Sequence, residues 1–149
     1  MLACSKIPFP SSLRSQTLRD RIDKGHAGRS IEFLATVNTE EAGFLSYEDR
    51  SDERLGFIYE IFVLPSFRNR GVGTYLLSQA EQFAIQLNCN VARLKPYALD
   101  YETDPDRLKS WYMRAGYIPI EDDPEHLQKQ LGRVVRPNAG VRPRPAGEI

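Results

Sequence analysis

The strongest constraint on this chain is a strand-like run that ends abruptly: residues 55–64, LGFIYEIFVL, are nearly all apolar, and Pro65 stops them. The run is far shorter than the roughly 20 residues of a membrane span, and it is rich in aromatic and β-branched types that suit a pleated sheet. It reads as a central strand buried on both faces. A turn carrying Arg68, Asn69, Arg70, Gly71, Val72 and Gly73 follows, and Val72, Leu76, Ala80, Phe83 and Leu87 then recur at helical spacing to about residue 88. A further apolar stretch occupies 91–97. Strand, packed helix and strand make a crossover unit, so the second strand is expected parallel to the first.

Other elements group around this unit. Ser11 and Ser12 read as caps of a helix over 13–24, with Leu18 and Ile22 on one face and Gly25 ending it. Alternation over 30–38 and again over 42–48 predicts a hairpin turning at Asn38, Thr39 and Glu40. No clear strand is expected before residue 30, and Cys4 falls in a frayed terminus. Asp104 before Pro105 is an N-cap and first-turn pair for a helix that presents Leu108, Trp111, Tyr112 and Ala115 on one side and closes at Gly116. Residues 117–120 predict a last short core strand. Beyond Pro124 the pattern weakens: Val134 and Val135 read as an edge strand, and 137–149, with three prolines and little apolar mass, as a disordered tail. One domain is drawn over 1–136.

Composition limits the partners. Lys and Arg number 20 and Asp and Glu number 20, so no global field attracts a polyanion, and general nucleic-acid binding is not expected. The opening residues lack an apolar signal region, which points away from export and membranes and towards the cytoplasm. Cys4 and Cys89 form neither a disulfide framework nor a metal spacing, and His26 and His126 are isolated, so no metal site is expected.

The turn after residue 64 carries the chemistry. A helix N-terminus presents unpaired backbone N–H groups, and glycines let an anion approach the backbone. The spacing fits neither a Walker loop, lacking Gly-Lys-Ser/Thr, nor a dinucleotide fold, since Leu76 stands where the third glycine belongs. A tight turn with arginines facing solvent is the alternative. In context, Arg68-x-x-Gly71-x-Gly73 after Val63-x-Pro65 resembles the acyl-coenzyme-A signature of the GNAT N-acetyltransferase superfamily. The segment from Trp111 to Tyr117, with Tyr112 and Gly116, is similar to the family's aromatic-Tyr-x-x-x-Gly-aromatic helix. The two motifs come in the family's order, and the resemblance covers about residues 31–120.

That resemblance implies an α+β, three-layer fold with a mixed, mostly antiparallel sheet, a splayed parallel central pair and flanking helices; in departure from the family's pattern, the first strand and the paired opening helices read as reduced. It implies acetyl-CoA as co-substrate. The pyrophosphate is then held by backbone amides of Arg68, Asn69, Arg70, Gly71, Val72, Gly73 and Thr74, and the pantetheine arm by main chain of Ile61, Phe62 and Val63. The family's asparagine about seven residues before the tyrosine has no counterpart, since that stretch reads Asp104-Pro105-Asp106. The reduced opening elements leave the acceptor lid either short or supplied by a second copy in a homodimer.

The implied reaction is direct attack of a primary amine on the thioester. An alkylammonium of pKa about 10.4 must first lose a proton. Glu60, in an otherwise apolar strand, is the candidate base, acting directly or through water, because burial raises a carboxyl pKa. Alternatively it faces solvent or pairs with an arginine such as Arg93. Tyr112 stands at the family's general-acid position, where a protonated phenol donates to the coenzyme thiolate. Acidic residues at 100–106 and 121–125 either attract a cationic amine, small molecule or protein, or are solvated loops. Two other functions remain open: a toxin-type acetyltransferase of aminoacyl-tRNA, with Arg133, Arg136, Arg142 and Arg144 as a basic anchor, and a non-catalytic acyl-CoA-binding module.

Overall fold

In a computed structural model that describes residues 1–25, 30–96 and 104–132, alternation of β3 (Glu40–Arg50) divides the molecule into layers. Successive side chains of a strand point to opposite faces. Phe44 enters an apolar cluster with Leu13, Leu18, Ile22 and Phe62, whereas Leu45 and Tyr47 enter the main core on the other side. Helix α1 (Gln16–Gly25) covers the first face. Helix α2 (Val72–Gln86) covers the second through Val72, Leu76, Leu77, Ala80 and Ala84. Tyr112 of α3 (Pro105–Arg114) enters that same core.

Between the layers the described residues form a seven-stranded sheet in the order β1-β2-β3-β4-β5-β7-β6. Its strands are β1 (Leu2–Lys6), β2 (Ser30–Val37), β3, β4 (Leu55–Val63), β5 (Val91–Leu94), β6 (Ile118–Ile120) and β7 (Asp123–Gln130). Within it only β4 and β5 pair in parallel; every other ladder is antiparallel. The mixed sheet with its central parallel pair is the expected fold class.

Several expectations are corrected in detail. A strand does precede residue 30: β1 pairs with β2 from Leu2↔Val37 to Lys6↔Phe33, which also takes Cys4 out of a frayed end. It is short and lies at the sheet edge, so backbone hydrogen bonds hold it while only Leu2 and Cys4 touch the core. The strand β7, not expected at all, is polar in sequence and places only Leu127 fully inside, yet it is paired on both sides. Residues 10–12 form a 3₁₀ turn, so α1 starts later than expected. Ser15 takes over the cap, its hydroxyl accepting from Leu18 N at 3.3 Å. As expected, β4 carries buried side chains on both faces, Ile58 in the main core and Phe62 in the α1 cluster, while Phe57, Tyr59 and Ile61 are half-buried. The strand expected over 91–97 ends at Leu94, and the edge strand at Val134 and the tail lie outside the described residues.

The close pairing of β3 with β4 generates a test. A Cβ on Gly43 would sit 2.4 Å from the Phe62 carbonyl oxygen, a backbone atom that cannot swing aside. Overpacking of this kind costs about 1–3 kcal/mol. Gly43→Ala is expected to lower the denaturant midpoint accordingly, whereas Gly132→Ala, with nothing within 4 Å of the added methyl, stays within about 0.5 kcal/mol of wild type. Equal midpoints for the two variants contradict the packing described.

Candidate active site

Two backbone events build the site. The first is the parting of the parallel strands. Pairing of β4 with β5 runs only from Leu55↔Val91 to Ile58↔Leu94, while β4 continues to Val63. Pro96 lacks the N–H a ladder needs, so the chain after β5 cannot remain zipped to β4 there. A cleft opens between them, lined by Tyr59, Glu60, Ile61, Leu94, Pro96 and Tyr112.

The second event is a bulge. Ser46 stands opposite Glu60 and its neighbour Tyr47 opposite Ile58, so Tyr59 is an extra residue in β4. Its effect is to invert the strand. Ile58 and Ile61 both contact the main core on the α2 side although three residues separate them, and Phe62 goes to the α1 side. Glu60, opposite Ser46, is carried to the α1 face; without the extra residue it would follow Ile58 into the apolar core.

On that face Glu60 meets Arg21 of α1. The Arg21 Nε donates to Glu60 Oε2 at 2.9 Å, and the Glu60 side chain is 5% exposed. The guanidinium carbon also lies 4.2 Å from the Phe62 ring centroid. Burial pushes the Glu60 carboxyl above its ordinary range, and the hydrogen bond and charge of Arg21 pull it part of the way back. The partner is therefore an arginine, but not Arg93, whose Nη2 donates to Gln128 Oε1 at 3.0 Å. Arg21 was missed from the sequence; its position three after Leu18 and one before Ile22 marks the inward face of α1.

Tyr112 reaches the cleft from the opposite layer. It is buried, with edge-to-face contacts to Trp111 at 4.8 Å and Tyr117 at 6.1 Å. Tyr117 is committed elsewhere, its hydroxyl donating to Glu81 at 2.9 Å. Asp104 caps α3 as expected, accepting from Asp106 N at 3.0 Å.

Below the cleft the turn leads into α2. Arg68 does not simply face solvent: its Nε donates to the Val63 carbonyl at 3.0 Å, fastening the turn to the end of β4. Asn69 and Gly71 take left-handed backbone, φ 63° and 82°. Gly71 is the N-cap of α2, no side chain among the described residues caps the helix, and no acidic residue lies in its first turn. The first N–H groups of α2, at Val72, Gly73 and Thr74, thus lack a side-chain cap at the positive end of a 15-residue helix. A Cβ on Gly73 would lie 3.5 Å from Trp111 and 3.8 Å from Val63, so the start of α2, the end of β4 and α3 converge. Ile61 lines the cleft, whereas the side chain of Phe62 packs towards α1.

The family model for the acetyltransferase (GNAT) family matches residues 3–117. The chain belongs to the GNAT acetyltransferase family. An uncharacterized N-acetyltransferase of Archaeoglobus fulgidus is 33% identical over 66 residues, which span 41% of this chain and 45% of that relative. Among solved structures, the GNAT fold here is similar to the ribosomal-protein-S18-alanine N-acetyltransferase of Escherichia coli, with 14% identity, a TM-score of 0.63, and coverage of 95% and 99% of the two chains. It is also similar to the paia N-acetyltransferase of Thermoplasma acidophilum in complex with coenzyme A, with 15% identity, a TM-score of 0.55, and coverage of 75% and 66%. Among the described residues no helix is long and apolar enough to cross a membrane.

The burial of Glu60 in this GNAT domain has a measurable sign. A carboxyl raised above its ordinary value of 4.5 binds its proton more tightly in the folded chain, so its contribution to stability is full below that value and is lost as pH rises through the raised one. The unfolding free energy of wild type minus that of Glu60→Gln is expected to fall as pH rises above 4.5. A difference that is flat or rises with pH contradicts the burial.

Proposed function

We propose that this GNAT protein transfers an acetyl group from acetyl-CoA to a primary amine by direct attack. The observation that carries this reading is the cleft where β4 leaves β5, with Glu60 and Tyr112 on its walls and an uncapped helix start at its foot. When bound, acetyl-CoA supplies an acyl group already activated as a thioester.

The residues present suit that co-substrate. The backbone from Arg68 to Thr74 offers N–H groups at the start of α2, and nothing lies within 4 Å of where a Gly71 side chain would project, so a diphosphate can approach the backbone. The edge of β4 from Tyr59 to Val63, left by β5, offers main chain at Ile61, Phe62 and Val63 to an amide-bearing arm. Glu60 accepts the proton of the incoming ammonium, directly or through a water, from the α1 side. Tyr112 holds a phenolic proton for the departing sulfur from the α3 side. Acid and base thus stand in separate layers, and neither neutralises the other before the substrates arrive.

The acceptor is a small-molecule or protein amine. The E. coli neighbour is by name an alanine N-acetyltransferase, which makes an Ala-starting peptide a useful member of a test panel. Thiol release from acetyl-CoA across spermidine, lysine ethyl ester, an Ala-starting peptide and aminoacyl-tRNA is expected to show turnover with at least one amine. Tyr112→Phe and Glu60→Gln are each expected to lower kcat about 100-fold, the lower part of the range for proton-transfer groups, with KM for acetyl-CoA near wild type. Coenzyme binding without thiol release for any amine contradicts the enzymatic reading, and turnover confined to aminoacyl-tRNA replaces the acceptor assigned.

A further inference from the structure

We propose that Arg21 of α1 is a positioning residue for the acetyl transfer: it engages one oxygen of Glu60 and keeps that buried group a carboxylate, leaving the other oxygen for the acceptor amine. The inference rests on the reading of Glu60 as base and adds what makes a buried glutamate usable near neutral pH.

The geometry supports it from several sides. Glu60 is buried beneath α1, and its one ion pair among the described residues is with Arg21, through Oε2. Arg21 is itself held in place, with its guanidinium over the Phe62 ring and only 22% of its side chain exposed. A planar guanidinium fixed on an aromatic face points its N–H groups in a set direction, which a mobile lysine does not. The Glu60 position also lies on the cleft, and the ion pair engages only Oε2.

The other groups facing Glu60 do not supply this charge. Across the sheet, Ser46 of β3 is opposite Glu60 and its hydroxyl donates at 3.3 Å to Glu32 of β2, a second buried acid. Tyr59 of β4 and Tyr112 of α3, on the cleft, carry no cationic group. Lys95, beyond β5, also lines the cleft and is paired with Glu125 at 3.2 Å. Arg21 is thus the cation in hydrogen-bond contact with the carboxylate, and burial opposes it.

The test is the pH profile of kcat/KM for whichever of the four amines turns over fastest, in wild type, Arg21→Met, Arg21→Lys and Glu60→Gln. Methionine keeps apolar bulk on Phe62 but removes the charge, and thermal melts confirm that each variant folds. With Arg21→Met the acid limb is expected to move up by about one pH unit, as loss of an adjacent opposite charge requires, and Arg21→Lys to restore most of the shift. A carboxyl 13C titration, with the Glu60 signal assigned by its loss in Glu60→Gln, is expected to show the same displacement without substrate. An acid limb and a titration midpoint that stay in place in Arg21→Met, while Glu60→Gln abolishes the limb, overturn the role of Arg21 and leave Glu60 as base. A limb that survives in Glu60→Gln overturns the base reading itself, whatever Arg21 does.

Discussion

The structure turns on a strand that abandons its neighbour. Once β4 has paired with β5 as far as Ile58↔Leu94, its remaining length is zipped, among the described residues, only to β3, and the extra residue Tyr59 rotates the rest of the strand by one face. A parallel pair that stayed closed would fill the cleft with ladder hydrogen bonds, and an unbulged β4 would drive a carboxylate into the α2 core. Both departures from a regular sheet are local, and each costs some pairing; where they meet lies the cleft beside Tyr59, Glu60 and Tyr112.

What keeps the gap in shape is convergence of elements distant in sequence. A side chain at Gly73, at the start of α2, would touch Trp111 on α3 and Val63 at the end of β4, and Arg68 bonds the turn back onto Val63. The coenzyme-type turn and the tyrosine helix are therefore one packed unit rather than two adjacent motifs. On the opposite face, the ion pair of Arg21 with Glu60 joins α1 to the same strand. A buried ion pair is a weak source of stability, because desolvation offsets most of the attraction.

The elements that define the fold were legible where side chains dictate structure. The apolar run to Pro65, the helical spacing after Gly71 and the Asp104-Pro105 cap each carry a local physical signal, and each element lies where that signal put it. Strands held mainly by backbone pairing were not legible: β1 contributes only Leu2 and Cys4 to the core, and β7, DPEHLQKQ, has the composition of a loop. At the candidate site, the turn residues and Tyr112 were singled out by their resemblance to the family's motifs. The environment of Glu60 could not, because a bulge at Tyr59 leaves no mark in a run of large apolar residues. The arginine that meets Glu60 lies 39 positions earlier in the chain.

The central claim, that the parted strands and the bare start of α2 form one acyl-coenzyme site, is most directly tested by a crystal structure of the protein with coenzyme A. The diphosphate is expected on the backbone N–H groups between Arg68 and Thr74, the pantetheine arm along the edge of β4 that β5 leaves, and the sulfur in the cleft near the Tyr112 hydroxyl. A coenzyme seated elsewhere on the molecule, or a cleft closed by renewed pairing of β4 with the chain after Leu94, contradicts it.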